Sequence, residues 1–276
     1  MRAVRKIGNT LYNLILLAFS ISCIFPIIWV MYSSLKTKEE FMLDIVSLPK
    51  HLQFQNYYDA FIHGKLYINF FSSICNTVVT VLFVLILAFC IGYVLSRYQF
   101  RGRNAIYTLF LIGMMTPVYA LLVPLFVQMK TLHMEDQWFT LVIPYIAIRL
   151  PLAIFLFESF IRTIPWELEE AAYMDGATVW STMSRIIFPL CRPVMSTVLI
   201  LSFLDTWNEF PFALVLVTKD YLRTLPVGLT NFNGQFTTNY TTLMAALVIS
   251  ILPVMLVYFL FSKKIIEGMT AGAVKG

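Results

Sequence analysis

The sequence predicts an all-α membrane protein that crosses a lipid bilayer about six times. Of its 276 residues, 59% are hydrophobic and only 13% are charged, whereas soluble domains contain about 45–50% apolar and about 25% charged residues. This much apolar surface cannot be hidden in one globular core of this size. The apolar runs are long and do not alternate, which favours helices over a barrel, because helices satisfy their backbone polar groups inside lipid.

Six apolar runs are long enough to cross a bilayer, since a spanning helix needs about 20 mostly apolar residues. The first run follows three basic residues, but it is longer than the apolar part of a signal peptide and no small-residue cleavage site follows it. We therefore interpret it as a span. Within a single transmembrane domain of residues 1–276, the spans lie roughly at 11–32, 73–96, 105–128, 139–161, 194–217 and 242–262.

The basic residues predict the orientation of these spans. With both termini in the cytoplasm, twelve lysines and arginines lie inside and seven outside, as the positive-inside rule favours. The loop 97–104 has three arginines and no acid. The net charge of +5 is then explained by membrane orientation rather than by a nucleic-acid partner. This topology leaves outer loops at 33–72 and 218–241 and a large inner loop at 162–193.

Neither a metal site nor a disulfide framework is expected. The four cysteines lie in or beside apolar runs and show no CxxC spacing. The three histidines fall in outer loops or at their margins. A membrane-embedded hydrolase with paired metal-binding histidines is therefore disfavoured.

The inner loop is patterned as a helix, a glycine turn and a second helix. Pro165 suits the first turn of a helix, and three acids follow where the helix dipole favours negative charge. These acids are Glu167, Glu169 and Glu170. Asp175-Gly176 is a stop signal, and a short amphipathic stretch at 178–188 runs into Pro189. A turn that lies in the membrane interface would also satisfy these features.

The same loop resembles the EAA loop of ABC-importer permeases, whose pattern is E-A-A-x3-G-x9-I-x-L-P. The spacing matches throughout, and Phe188 stands where leucine is usual. The resemblance implies a short cytoplasmic coupling helix that docks on an ATPase. The coupling residues that it implies are Glu170, Ala171, Ala172, Asp175, Gly176, Ile186 and Pro189.

Three further stretches are similar to the MalG-like, maltose-type carbohydrate permeases. They are the C-terminus at 267–276, the run 207–210, and Leu48-Pro49 with Asn56-Tyr57. The resemblance implies a type I ABC importer permease fold in a bacterial cell membrane and import of a sugar, a di- or oligosaccharide, by alternating access. It implies as partners a second, MalF-like permease, an ATPase homodimer and an extracellular sugar-binding protein.

The chain itself is expected not to be an enzyme. It has no G-x-x-x-x-G-K-[ST] phosphate loop. We therefore expect no cofactor on this chain, and ATP and magnesium on the partner ATPase. The rival interpretation is a self-sufficient secondary transporter or channel, which predicts inverted repeats and intramembrane ion-coupling residues; the sequence has no obvious repeat.

Span five carries acids where a charge at the bilayer centre costs at least about 2.5–3.5 kcal/mol. Pro211 is expected to kink this span because it removes a helix hydrogen bond. These side chains either line a sugar path or pair with Arg149 of span four. The candidates for the translocation path are Asp205, Trp207, Asn208 and Glu209.

The outer loop 218–241 is rich in aromatic and amide residues, which suit sugar contact but equally suit an interfacial belt. In permeases of the resembling group this loop reaches toward the binding protein. The candidates for binding-protein contact are Asn231, Phe232, Asn233 and Gln235.

Overall fold

The computed structural model describes residues 2–232 and 239–273, and these residues form helices and connecting loops with no strand. The principal helices are α1 Arg2–Ser33, α2 Lys38–Leu43, α3 Leu66–Arg97, α4 Arg103–Met115, α5 Leu122–Thr131, α6 Val142–Ile161, α7 Glu167–Met174, α8 Val179–Thr182, α9 Arg192–Trp207, α10 Pro211–Leu216 and α11 Tyr240–Ala273. Shorter helical segments lie at Gln55–Tyr58, Asp59–His63, Val118–Leu121, Met183–Ile187, Phe188–Leu190, Asp220–Leu222, Leu225–Leu229 and Thr230–Phe232.

Four helices of the described chain are long and apolar enough to cross a membrane. These are Tyr12–Ser33 within α1, all of α3, all of α6, and Tyr240–Phe261 within α11. Two bent pairs meet the same test: Arg103–Met115 with Val118–Thr131, bent by 94°, and Val179–Leu190 with Arg192–Trp207, bent by 74°. Counting each bent pair as one span gives up to six, which confirms the predicted fold class.

Prolines cause two interruptions in the predicted spans. Thr116 precedes Pro117 and is extended, with ψ of 126°, because a following proline disfavours the helical region; α4 therefore ends there. In predicted span five the expected kink is a complete break. The helix α9 ends at Trp207, and α10 begins with Pro211 in its first turn.

The chain divides into two compact units. The first unit comprises Met1–Tyr67 and Gly228–Leu252. Lys36 is completely buried in this unit, and its ammonium donates to the carbonyl oxygens of Asp44 at 2.8 Å and Ile45 at 3.1 Å. Asn56 also donates to the carbonyl oxygen of Lys36, at 2.8 Å. These bonds fix the loop that follows α1.

The second unit comprises Ile68–Val227 and Pro253–Gly276. Its core joins α3, α6 and α9 through buried side chains that include Phe89, Phe157 and Val198. Helices α3 and α6 approach closely at Gly92, where a Cβ atom would lie 2.8 Å from the Cβ of Phe157. Both candidate sites described below belong to this unit.

Candidate coupling surface and transport cleft

The inner loop has the predicted helix, glycine turn and helix. Gly176 has a φ of +82°, a region that glycine occupies without the steric cost of a Cβ. Its N–H donates to the Tyr173 carbonyl at 3.0 Å, and the N–H of Ala177 donates to the Ala172 carbonyl at 2.9 Å. This is a Schellman motif, which satisfies the last carbonyls of α7. The chain then restarts as α8, with the Thr178 hydroxyl accepting from Ser181 N at 3.3 Å.

The predicted coupling residues divide by exposure. Glu170, Ala171, Asp175 and Gly176 are exposed, Ala172 is buried, and Ile186 and Pro189 are half-buried. Three large apolar side chains lie on the same exposed stretch of chain: Met174, Val179 and Trp180. We call the exposed set Glu170, Ala171, Met174, Val179 and Trp180 the coupling surface. The sequence prediction did not include its three apolar members, although large apolar residues in a polar loop could have indicated an exposed contact surface.

Glu169, the residue before the EAA run, is completely buried and holds α7 to the end of α3. Its carboxylate accepts from Arg97 Nε at 2.5 Å and from the Tyr93 hydroxyl at 2.7 Å. Arg97 also donates to the Ile164 carbonyl at 2.9 Å, and its guanidinium carbon lies 5.2 Å from the centroid of the Trp166 ring. The sequence assigned Arg97 to membrane orientation and Glu169 to the helix dipole, and predicted no bond between them.

A second ion cluster, centred on the buried Glu158, lies at the neighbouring helix ends. Glu158 of α6 accepts from Arg103 at 3.2 Å and from Arg162 at 2.5 Å. Arg103 also donates to the Leu95 carbonyl at 2.7 Å. Two of the three arginines of the loop 97–104 are thus engaged in ion pairs: Arg97 ties α3 to α7, and Arg103 ties α4 to α6.

Three of the four candidate path residues, Asp205, Asn208 and Glu209, border two adjoining cavities of the second unit, of about 180 Å³ and about 310 Å³. Arg149 and Asp205 line both. Arg149 Nη2 donates to the Asp205 carbonyl at 2.9 Å, but its Nε lies 3.8 Å from the Asp205 carboxylate. The larger cavity is lined by Val118, Tyr119, Tyr145, Ile148, Arg149, Leu204, Asp205, Asn208, Glu209 and Phe212.

Glu209 shapes the break between α9 and α10. Its buried carboxylate accepts from the N–H groups of Phe212 at 2.7 Å and Ala213 at 3.0 Å, and from the Tyr145 hydroxyl. These N–H groups belong to the first turn of α10, where they have no partner within the helix. The sequence left Asp205 and Glu209 as possible partners of Arg149. Among the described residues, Asp205 is the acid paired with it.

The structure places Trp207 in the packing rather than on the cavity wall. Its side chain is 3% exposed. It stacks on Phe203 with ring centroids 5.7 Å apart and meets Phe70 edge-on at 5.9 Å. Asp205 and Asn208, by contrast, are exposed on the cavity wall.

The predicted outer contact residues are only partly covered by the structure. Asn231 is exposed and Phe232 half-buried, both in the turn Thr230–Phe232. Asn233 and Gln235 lie outside the described residues.

The preceding outer segment, residues 218–225, is fastened to the first turns of α3. Asn69 donates to the Arg223 carbonyl at 3.0 Å and Ser72 to the Leu222 carbonyl at 2.9 Å. The N–H of Leu225 donates to the Ser73 hydroxyl at 2.7 Å. The α3 helix therefore has polar attachments at both of its ends.

Asp136 holds the other end of the outer segment. Its carboxylate accepts from Thr218 N at 2.7 Å, from Lys219 N at 3.1 Å and from the Thr218 hydroxyl. Partial burial raises the pKa of Asp136, but these hydrogen bonds lower it more. The pKa of Asp136 is therefore below its ordinary value.

Comparison with known proteins decides the family. Residues 85–270 match the family described as binding-protein-dependent transport system inner membrane component. This chain belongs to that family of ABC transporter permeases. Two curated members resemble it over nearly their whole length. The arabinooligosaccharides transport system permease protein AraQ of Bacillus subtilis is 34% identical, covering 99% of this chain and 97% of that protein. The sulfoquinovosyl glycerol transport system permease protein SmoH of Agrobacterium fabrum is 34% identical, covering 92% and 89%.

A solved structure supports the same assignment. A chain of a bacterial ABC transporter involved in the import of the acidic polysaccharide alginate superposes with a TM-score of 0.82 at 26% identity, covering 94% of this chain and 96% of that chain. The family membership and the importer fold predicted from the sequence are therefore confirmed. As an inner membrane component with several apolar helices, the permease is a multi-pass membrane protein.

Proposed function

We propose that this permease is the MalG-like half of a bacterial importer that moves a di- or oligosaccharide across the cytoplasmic membrane at the expense of ATP. The two curated relatives are named for an arabinooligosaccharide and a sulfoquinovosyl glycerol system, and the solved relative for alginate. Their substrates differ from one another but share the carbohydrate class. They support that class without selecting one sugar.

The observation that carries the proposal is the coupling surface. An acid, a small residue and exposed apolar side chains stand together on a short helical hairpin, which is rigid because Gly176 closes α7 and Glu169 anchors it. Exposed apolar side chains clustered beside polar groups mark a protein contact. We assign this surface to docking on a cytoplasmic ATPase homodimer, with Glu170 as the polar contact and Ala171 allowing close approach.

The orientation and the remaining partners follow from that docking. The loop 162–193 and both termini lie in the cytoplasm, as the distribution of basic residues favours. ATP and magnesium are bound and turned over on the partner ATPase. A second, MalF-like permease completes the path, and an extracellular sugar-binding protein delivers the sugar to the outer side.

The cavities at Arg149 and Asp205 form this subunit's share of the sugar path. An exposed carboxylate in the middle of a membrane segment is costly against lipid, so we expect the Asp205 face to meet water or the second permease. The larger cavity, about 310 Å³, is at the lower end of the 300–1,000 Å³ typical of ligand sites. Tyr119 offers an aromatic ring and Asn208 an amide, which suit the faces and hydroxyls of a sugar.

Co-purification in mild detergent tests the proposal. The tagged chain is isolated from its native membrane beside the Glu170→Lys and Gly176→Pro variants. Glu135→Lys, which puts the same charge change on an exposed acid outside the loop, is the matched control. We expect an ATPase and a second permease to accompany the parent chain and the control, and the ATPase to be lost from the two loop variants.

Two results would contradict the proposal. One is a chain that elutes alone and transports a sugar in liposomes without ATP, which would favour a secondary transporter. The other is equal ATPase recovery from all four proteins, which would remove the coupling role from the loop.

A further inference from the structure

We propose that α3 is a transmission rod that links the coupling surface on one side of the membrane to the outer segment 218–225 on the other. The inference rests on the proposed function, because it takes the coupling surface to move with the ATPase. It goes further in naming the element that carries the motion and the side chains that fasten each end.

The inner end of the rod is fastened by a buried ion pair. Arg97 is the last residue of α3, and its side chain is 6% exposed, against 0% for Glu169. The pair is backed by the Tyr93 hydroxyl on Glu169 and by the Ile164 carbonyl on Arg97. A buried pair with several further bonds resists separation, since removal of either partner leaves an uncompensated buried charge. The α7 helix and the end of α3 are therefore expected to move together.

The outer end of the rod is fastened by hydrogen bonds to backbone atoms. Asn69, Ser72 and Ser73 all lie in the first turns of α3, and each bonds a main-chain group of the outer segment. Because these partners are main-chain atoms, a shift of α3 displaces the path of the outer segment itself. Asp136 holds the start of that segment through Thr218 and Lys219, so the displacement is confined to a short stretch.

Between these ends the helix is unusually stiff for this chain. The α3 helix is continuous over 32 residues and contains no proline. The other three helices of the described chain that are long enough to span each have a proline inside the helix: Pro26 in α1, Pro151 in α6 (which also has Pro144 in its first turn) and Pro253 in α11. Proline bends helices because it removes a backbone hydrogen bond. From Asn69 to Arg97 the rod extends about 42 Å at 1.5 Å per residue, more than the roughly 30 Å of a bilayer's hydrocarbon core.

Hydrogen exchange on the purified complex tests the link between the two ends. Amide exchange of a peptide covering 218–225 is measured by mass spectrometry, with and without a non-hydrolysable ATP analogue. In the parent complex we expect the analogue to change exchange in this peptide. In the Arg97→Gln and Glu169→Gln complexes, with the ATPase still bound, we expect that change to shrink at least about fivefold, the lower end of ordinary coupling between sites.

A matched control separates coupling from general destabilisation. Glu158 is 2% exposed, and its ion-pair partners, Arg103 and Arg162, lie outside α7. Glu158→Gln should therefore keep the response of the 218–225 peptide. Tyr93→Phe removes one hydrogen bond to Glu169 and leaves the ion pair in place, and it should weaken the response partially.

The outcomes are distinct. A full response in Arg97→Gln and Glu169→Gln, or an equal loss in Glu158→Gln, overturns the rod. Should the two ion-pair variants fail to assemble, an unchanged response in Tyr93→Phe overturns it. Failure of any ATPase to co-purify with the parent chain contradicts the proposed function itself, and it is detected before any exchange is measured.

Discussion

Two arginine–carboxylate pairs of the second unit are built in opposite ways. Arg97 and Glu169 are 2.5 Å apart, with side chains 6% and 0% exposed, whereas Arg149 and Asp205 are 3.8 Å apart, with side chains 17% and 54% exposed. The first pair has additional partners on both members. In the second, the main bond of Arg149 goes to the Asp205 carbonyl rather than to its carboxylate.

The difference shows what each pair can do. A buried, short ion pair with several further hydrogen bonds holds one geometry, because separating its two members would leave an unpaired charge in the interior. A long, partly exposed pair costs little to open, so we expect its groups to be available to water or to a sugar hydroxyl. The permease thus combines a fixed joint beside the proposed coupling surface with an open ion pair in the proposed transport cleft.

Deletion of the carboxylate of each pair should produce the largest difference between them. Glu169→Ala strands Arg97 and is expected to lower the free energy of unfolding by about 3–5 kcal/mol. Asp205→Ala should lower it by less than about 1 kcal/mol. Unfolding followed by intrinsic fluorescence in detergent measures both. Equal losses for the two variants would show that the pairs do not differ in strength.

Two acids near the α9–α10 break, Glu209 and Asp205, differ in their contacts in the same way. Glu209→Gln weakens charge-assisted bonds to the N–H groups of Phe212 and Ala213, and we expect a loss of about 1.5–3 kcal/mol. Asp205→Asn is the control four residues away. Amide exchange at 212–213 should rise in the first variant and stay at the parent level in the second; a rise in both would remove the capping role of Glu209.

The glycine that closes α7 offers a third comparison. Gly176 and Gly102 both have positive φ, +82° and +93°, and at neither would an added Cβ meet another atom within 4 Å. Each alanine substitution should therefore cost about 1–2 kcal/mol, from backbone conformation alone. Only Gly176→Ala should also lower ATPase recovery in the pull-down, because only Gly176 shapes the coupling surface. Equal ATPase losses from both variants would contradict that role.

The smallest expected effect concerns Asp136 and pH. Its pKa is lowered in the folded protein, so its contribution to stability is present above the unfolded value of about 3.9. That contribution is lost as the pH falls through the lowered folded value. Asp136→Asn should therefore lower Tm at pH 7, and the difference from the parent should shrink below about pH 3.9. A difference that grows on acidification would contradict the bonds to Thr218 and Lys219.

Local patterns made much of the fold predictable. The apolar runs predict the membrane segments because chain length and apolar composition decide whether a helix can cross lipid. Gly176 predicts the end of α7 because it acts through its own backbone. Pro165, expected in the first turn, instead lies two residues before α7, whose N-cap is Trp166. The EAA spacing further predicts that this loop docks on an ATPase, which a helical hairpin alone does not specify.

The features that escaped prediction depend on long-range or competing contacts. Arg97 and Glu169 are 72 residues apart in the chain, and no local pattern pairs them. Pro211 alone predicts a kink; the complete break arises because the Glu209 carboxylate binds the N–H groups that start α10. Trp207 resembles a sugar contact by type, and only packing against Phe70 and Phe203 reveals its burial.

The different roles of the Arg97–Glu169 and Arg149–Asp205 pairs are tested by the number of sugar molecules transported per ATP hydrolysed. It is measured in proteoliposomes that contain the complete complex and the oligosaccharide retained by the co-purified binding protein. We predict that Glu169→Gln lowers this ratio, because ATP is consumed without moving the path. Asp205→Asn should slow transport and hydrolysis together and leave the ratio unchanged. A normal ratio in Glu169→Gln with a lowered ratio in Asp205→Asn would contradict the assignment of both pairs.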